Sequence, residues 1–240
     1  VGLANSYSDL IGNSLIDPKV GKPKMEAALK KALELDESLP EAYATLGLFE
    51  TDNWNWAEAE RAFKQSIELN PNLAVAHYRY GTLLDFLGRH NEAIASRQKA
   101  KELDPTNIRS EIGVASSLYF ARRHDEAIEL LKRTLELDPE LSVAHAYLGY
   151  AYAAKGNNEQ AIAEYKENVR IDGVNSSNQC FLGAALSKAG RRDDALSILR
   201  ELESTKEYVS PAELAILYAG LNEKDKAFAA LERAFSERDL

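Results

Sequence analysis

Few side chains in this sequence carry reactive chemistry. There are four histidines and one cysteine among 240 residues. His77 and His145 occupy the same phase of a recurring pattern, two blocks apart. With neighbouring helices packed at ~8–10 Å, that phase places the two imidazoles roughly 20 Å from one another, too far to share a metal ion. His90 and His124 fall at turns, where a solvated or helix-terminal ring is expected. Cys180 has no histidine near it in the pattern, so it reads as a small buried or groove residue and not as a nucleophile. The pair Asp193-Asp194 stands at a helix start, where capping and the helix dipole account for it without general acid or base work. Gly-rich phosphate or dinucleotide signatures are absent, and nearly every glycine has a packing or capping role at its place in the pattern. The sequence therefore yields no catalytic residue, no metal ligand and no cofactor-binding residue, and the expectation is a protein that is not an enzyme and uses no cofactor.

The pattern has a period of 34 residues. A proline recurs as Pro71, Pro105 and Pro139, with Gly173 in the fourth place, and the apolar residue two before it recurs as Leu69, Leu103, Leu137 and Ile171. Small residues recur as Gly47, Gly81, Ala115, Gly149 and Gly183, and again as Ala59, Ala93, Ala127, Ala161 and Ala195, then Ala227 after a shortened step. Periodicity at this length marks a repeat array. Each block reads as two helices and a short turn: Tyr80, Gly81 and Leu84 form a buried stripe on one, and Ala93, Arg97 and Ala100 on the other. Gly88, Gly156, Gly190 and Asn222 are placed to end first helices in the left-handed conformation. Asn91, Asp125, Asp193 and Asp225 are expected to cap the second helices. In the first block the second helix is expected over Met25–Asp36, after a long turn from Ile11 to Lys22, and Ser204-Thr205-Lys206 is the expected irregular junction.

The blocks resemble tetratricopeptide repeats. Block 40–73 supplies Tyr43, Leu46, Gly47, Ala59, Phe63 and Pro71; block 142–175 supplies Leu148, Gly149, Tyr152, Ala161 and Tyr165, with His145 in the first aromatic place. The resemblance implies an all-α, right-handed solenoid of about seven helix-turn-helix repeats, one domain over 1–240 with blocks 1–39, 40–73, 74–107, 108–141, 142–175, 176–207 and 208–240. Residues 208–240, with GLANSY near the start and ALELDESLPEAYATLG at 32–47, are similar to tetratricopeptide modules of bacterial multidomain signalling proteins, and Val1 in place of an initiating Met suggests an excised or processed piece.

The formal charge of −9 and the lack of a basic run speak against nucleic-acid binding. No apolar run is long enough for a membrane span and no secretory pattern appears. A single cysteine permits no intrachain disulfide, so the expected setting is cytoplasmic.

In the family, the first helix of each block turns its second, fifth, ninth, twelfth and thirteenth positions toward a groove. Here those positions carry Val75, Tyr78, Thr82, Asp85 and Phe86, then Arg109, Ile112, Ser116, Tyr119 and Phe120, then Val143, Ala146, Tyr150, Ala153 and Ala154. The implied groove would hold a peptide or partner protein on Tyr78, Phe86, Tyr119, Phe120 and Tyr150, with Asp85 and Arg109 in a polar rim; the alternative is a small-ligand sensor. A chaperone-tail clamp is disfavoured because Arg109 is the one basic residue at these positions, and a sugar-transferase Asn ladder is disfavoured by Thr45, Arg79, Gly113, Tyr147, Phe181 and Glu213. Finally, Phe228, Leu231 and Phe235 lie at i, i+3 and i+7 of the last helix. That stripe is expected either to associate with another copy or a continuation of the chain, or to pack back on Leu214, Ile216 and Tyr218.

Overall fold

A computed structural model describes residues 1–12, 16, 18–205 and 208–237. Among them are fourteen α-helices and no strand: α1 (Gly2–Gly12), α2 (Pro18–Leu35), α3 (Pro40–Asp52), α4 (Trp56–Leu69), α5 (Ala74–Phe86), α6 (His90–Leu103), α7 (Ile108–Phe120), α8 (His124–Leu137), α9 (Ser142–Ala154), α10 (Asn158–Asp172), α11 (Ser176–Lys188), α12 (Arg192–Ser204), α13 (Pro211–Gly220) and α14 (Lys224–Glu237). The chain forms two compact units, Val1–Ala121 and Arg122–Leu240. In the first, α1 packs on α2, α3 on α4 and α5 on α6, and α7 lies against α5 and α6. In the second, α9 packs on α8 and α10, α11 on α12, and α13 on α11 and α14.

The turns between paired helices share one backbone device. Gly88, Gly156 and Gly190 have φ of 72°, 78° and 85°, and Asn222 has 61°, as the sequence implies. The same phase is filled by Trp54 (φ 63°) and Arg122 (φ 60°), so the turn is kept even where its residue is unsuited to it. Close approach of the helices depends on the recurring small residue. A Cβ on Gly47 would meet the Phe63 ring at 2.7 Å, one on Gly81 the Arg97 side chain at 2.6 Å, and one on Gly149 the Tyr165 ring within 2.3–2.8 Å.

Two local expectations are corrected. The second helix of the first block starts at Pro18, not near Met25, because a proline opening a helix gives up only an N–H that would have no helical partner. Gly21 then lets α2 approach Ile11 of α1, where a Cβ would stand 2.6 Å from Ile11 Cγ1. Residues 13–15 and 17, inside the expected long turn, lie outside the described residues, as does Lys206 of the expected irregular junction. Secondly, Asn91, Asp125 and Asp193 are already inside their helices and do not cap them. The N-caps are Arg89, Arg123 and Arg191, without a side-chain cap bond. Each instead pairs with an acid three residues on: Arg89 with Glu92, Arg123 with Glu126, Arg191 with Asp194. The acids in these first turns still favour the positive end of the helix dipole.

The candidate groove

Arg97 is the unusual residue of the first unit. At its phase the other blocks carry Phe63, Leu131, Tyr165 and Leu199, all buried, and Arg97 is 4% exposed as well. A buried guanidinium needs a counterion and acceptors, and Asp85 on α5 supplies the charge. Its Oδ2 lies 3.1 Å from Arg97 Nη1 and both side chains are 5% exposed. Arg97 also donates to the Gly113 carbonyl (2.5 Å), Ser117 Oγ (3.0 Å) and Thr82 Oγ1 (3.0 Å), while Tyr78 lies over the guanidinium at 5.6 Å. Asp85 further accepts from Ser117 Oγ at 2.7 Å and contacts His90 Nδ1 at 3.2 Å. Gly113 makes room, since a Cβ there would be 2.8 Å from Tyr78 and 3.0 Å from Arg97. The network ties α5, α6 and α7 together. The Asp85 carboxylate is thus placed beneath the surface and engaged by Arg97, while Tyr78 is half-buried over the same guanidinium.

Above this network two rings stand open. Phe86 is 52% exposed and Phe120 48%, at the last residue of α5 and of α7. Each is backed by the residue thirty positions earlier, which opens a second helix: Trp56 lies 6.1 Å from Phe86, and His90 stacks on Phe120 at 6.1 Å. Tyr119 meets Phe120 edge-on at 5.3 Å. Arg109 is exposed in the first turn of α7, its backbone N–H capped by Asn107. Trp56 and His90 were not foreseen as part of the surface; the constant thirty-residue offset between helix start and aromatic is the signal that could have found them.

In the second unit Tyr150 is half-buried against Phe181 (4.5 Å), Tyr147 (5.4 Å) and Tyr165 (5.9 Å). It lines a cleft of about 190 Å³ whose walls are both apolar, from Val143, Ala146 and Phe181, and polar, from Asn168, Asp172 and Asn175.

The histidines of the first aromatic place brace turns: Nε2 of His77 donates to the Pro71 carbonyl (2.8 Å) and that of His145 to the Pro139 carbonyl (3.2 Å), with His145 Nδ1 on Glu164 at 2.7 Å. Cys180 is fully buried, and burial with Glu213 nearby pushes its thiol up to about 12, far from a nucleophile's range. No cluster of three or more potential metal ligands occurs among the described residues, and no helix there is long and apolar enough to cross a membrane.

Paired helices at a constant repeat, with small residues at each crossing, define a helical-repeat scaffold. Residues 62–95 and 120–172 match family models of the tetratricopeptide repeat. The fold is similar to that of PilW, a widely conserved type IV pilus biogenesis factor, at 19% identity and a TM-score of 0.71, over 88% of this chain and 96% of PilW. It is similar to PilF of Pseudomonas aeruginosa at 21% identity and a TM-score of 0.59, over 85% and 94%. YrrB, a repeat protein with an unusual peptide-binding site, matches at 18% identity and a TM-score of 0.51, over 85% and 98%. A search of curated protein sequences finds no match.

Proposed function

We propose that the chain is a non-catalytic interaction scaffold that holds a peptide or partner-protein segment on the aromatic faces of its first helices. The carrying observation is the pair Phe86 and Phe120, half-exposed at equivalent places and backed by Trp56 and His90. Rigid, half-exposed aromatics of this kind make anchors for a partner at low entropic cost. Arg109 supplies an exposed cation at the opposite end of α7, and Tyr119 meets the Phe120 ring edge-on. The cleft at Tyr150 supports the same reading, because about 190 Å³ lies below the ~300 Å³ where small-molecule pockets begin. A single side chain of a longer ligand suits it better than a metabolite does. A cytoplasmic setting, service to a larger bacterial signalling protein, and self-association through α14 are further parts of the proposal; the second rests on the resemblance of residues 208–240 alone. A peptide array against the purified protein tests the main reading. A recurring sequence motif is expected, with the emission of the stacked pair Trp54 and Trp56 shifting on binding and affinity falling at least about tenfold in Phe86→Ala/Phe120→Ala. An array without any enriched motif would overturn it.

A further inference from the structure

Glu50 breaks the repeat. At its phase the later blocks carry Leu84, Leu118, Tyr152 and Leu186, none more than 9% exposed. In α3 a carboxylate stands there instead, and the surface is open around it. Tyr43, Leu46 and Glu50 form the shared floor of two adjoining clefts, one of about 460 Å³ against α2 and one of about 370 Å³ against α4. Leu29 and Phe49 extend the apolar floor on the α2 side. This is not the surface described above: Glu41, Ala44 and Leu48 are the inward positions of α3, and Tyr43, Leu46 and Glu50 are two residues further on, about 200° round the helix.

The walls are acidic. α2 contributes Glu26 and Glu34, the turn after it Glu37, and α4 contributes Glu58, against Lys30 and Arg61. Arg61 is taken up by Glu58 at 2.6 Å, and Glu34 by Lys31 at 3.3 Å. Glu26 and Glu37 make no ion pair among the described residues, and Glu50 accepts from the Asn55 side-chain amide at 2.7 Å. We infer that this double cleft docks a basic amphipathic helix of a partner protein. Apolar residues spaced i, i+3 and i+4 would seat on Tyr43 and Leu46, and flanking Lys or Arg would meet Glu26, Glu37 and Glu50. A helix is specified over an extended segment because the described residues offer no strand edge to pair with an open backbone, whereas a helix satisfies its own N–H and C=O groups.

The test uses two synthetic peptides of about 18 residues, long enough to form a helix: one with Leu on one face and Lys elsewhere, the other with Glu in place of each Lys. Calorimetry near physiological salt should show one Leu/Lys peptide bound per chain and no saturable binding of the Leu/Glu peptide. Glu26→Gln/Glu37→Gln should weaken the Leu/Lys peptide by about tenfold, some 1.4 kcal/mol. Glu50→Leu, which restores the residue type of the other blocks, should weaken it as much while keeping the thermal midpoint. Glu129→Gln/Glu136→Gln, on α8 of the other unit, should leave it unchanged, as should Phe86→Ala/Phe120→Ala, so that this inference and the proposed groove stand or fall separately. Equal binding of both peptides, equal weakening by the α8 variant, or indifference to both cleft variants would overturn the proposal.

Discussion

Arg97 shows what one substitution in a repeat demands of its neighbours. Where the other blocks bury a ring or an aliphatic chain, this block buries a guanidinium, and Asp85, Thr82, Ser117 and the Gly113 carbonyl are arranged to receive it. Removing one partner leaves the other charged and dry, so Asp85→Ala and Arg97→Leu alone should each cost about 3–5 kcal/mol in urea unfolding. Asp85→Ala/Arg97→Leu together, which recreates the apolar interior of the other blocks, should recover most of that loss; additive costs would show that the pair is not the unit of stability. At the same crossing, Gly81→Leu should destabilise by ~1–3 kcal/mol through overpacking and Glu92→Ala by less, since Glu92 is exposed and pairs only at the surface. The repeat phase made Gly81 legible. It did not reveal the burial of Asp85, because the periodicity gives a residue's place along the helix but not which partner draws its side chain inward. A second polar cluster carries a pH signature. Glu60 accepts from Lys64 first, then Arg89, with Tyr80 adding a third bond, and these hold its carboxyl down at about 2. Its folded value is below its unfolded one, so the ion stabilises above the ordinary glutamate value near 4.3 and that contribution is lost as pH falls toward 2. The gap in thermal midpoint between the wild type and Glu60→Gln should be full at pH 6 and gone near pH 2, with a size of about 1 kcal/mol or less that salt reduces.

At the scale of the element, the turn between paired helices is fixed more strictly than its sequence. Four of its six left-handed residues are Gly or Asn and could be read directly, whereas Trp54 and Arg122 hold the same conformation with side chains that disfavour it. Arg122→Gly should therefore stabilise by about 1 kcal/mol, and Gly88→Ala should destabilise by about as much. Opposite shifts of the two urea midpoints are the expected result; two shifts of one sign would mean that side-chain contacts, not backbone strain, set the stability of this turn. The starts of the second helices were less legible. A short polar residue near a helix start suggests a cap, but here the chain enters its helix two residues sooner, and an arginine with an acid three residues later takes the place of the side-chain cap. Pro18 misled for a related reason, since proline reads as a helix breaker unless its place in the first turn is known.

At the scale of the molecule, the period of 34 residues carries the fold, because small residues at fixed intervals leave helix pairs little choice of crossing. The candidate surfaces were only partly legible, since they arise where blocks depart from the pattern: Phe86 and Phe120 open, Glu50 in an apolar place, and the last helix. On the earlier second helices the phase of Phe228 and Leu231 is buried at Ile94, Ile128 and Ile162, and again at Leu131, Tyr165 and Leu199. On α14 the same stripe is open, with Phe228 66%, Leu231 50% and Phe235 72% exposed. Packing back on α13 therefore leaves most of its area in contact with water, while Ala227 and Ala234 make the buried contact. A contiguous apolar face of this kind lowers its free energy by covering itself, and a second copy of the chain is always available to do so. Sedimentation should show weight-average mass rising with concentration in the micromolar range for the wild type, and folded monomers for Phe228→Glu and Phe235→Glu. Because both rings are exposed, glutamate at either place should leave helical content and thermal midpoint nearly unchanged. A wild type that stays monomeric throughout that range, or variants that unfold, would mean that the face is not a self-association surface.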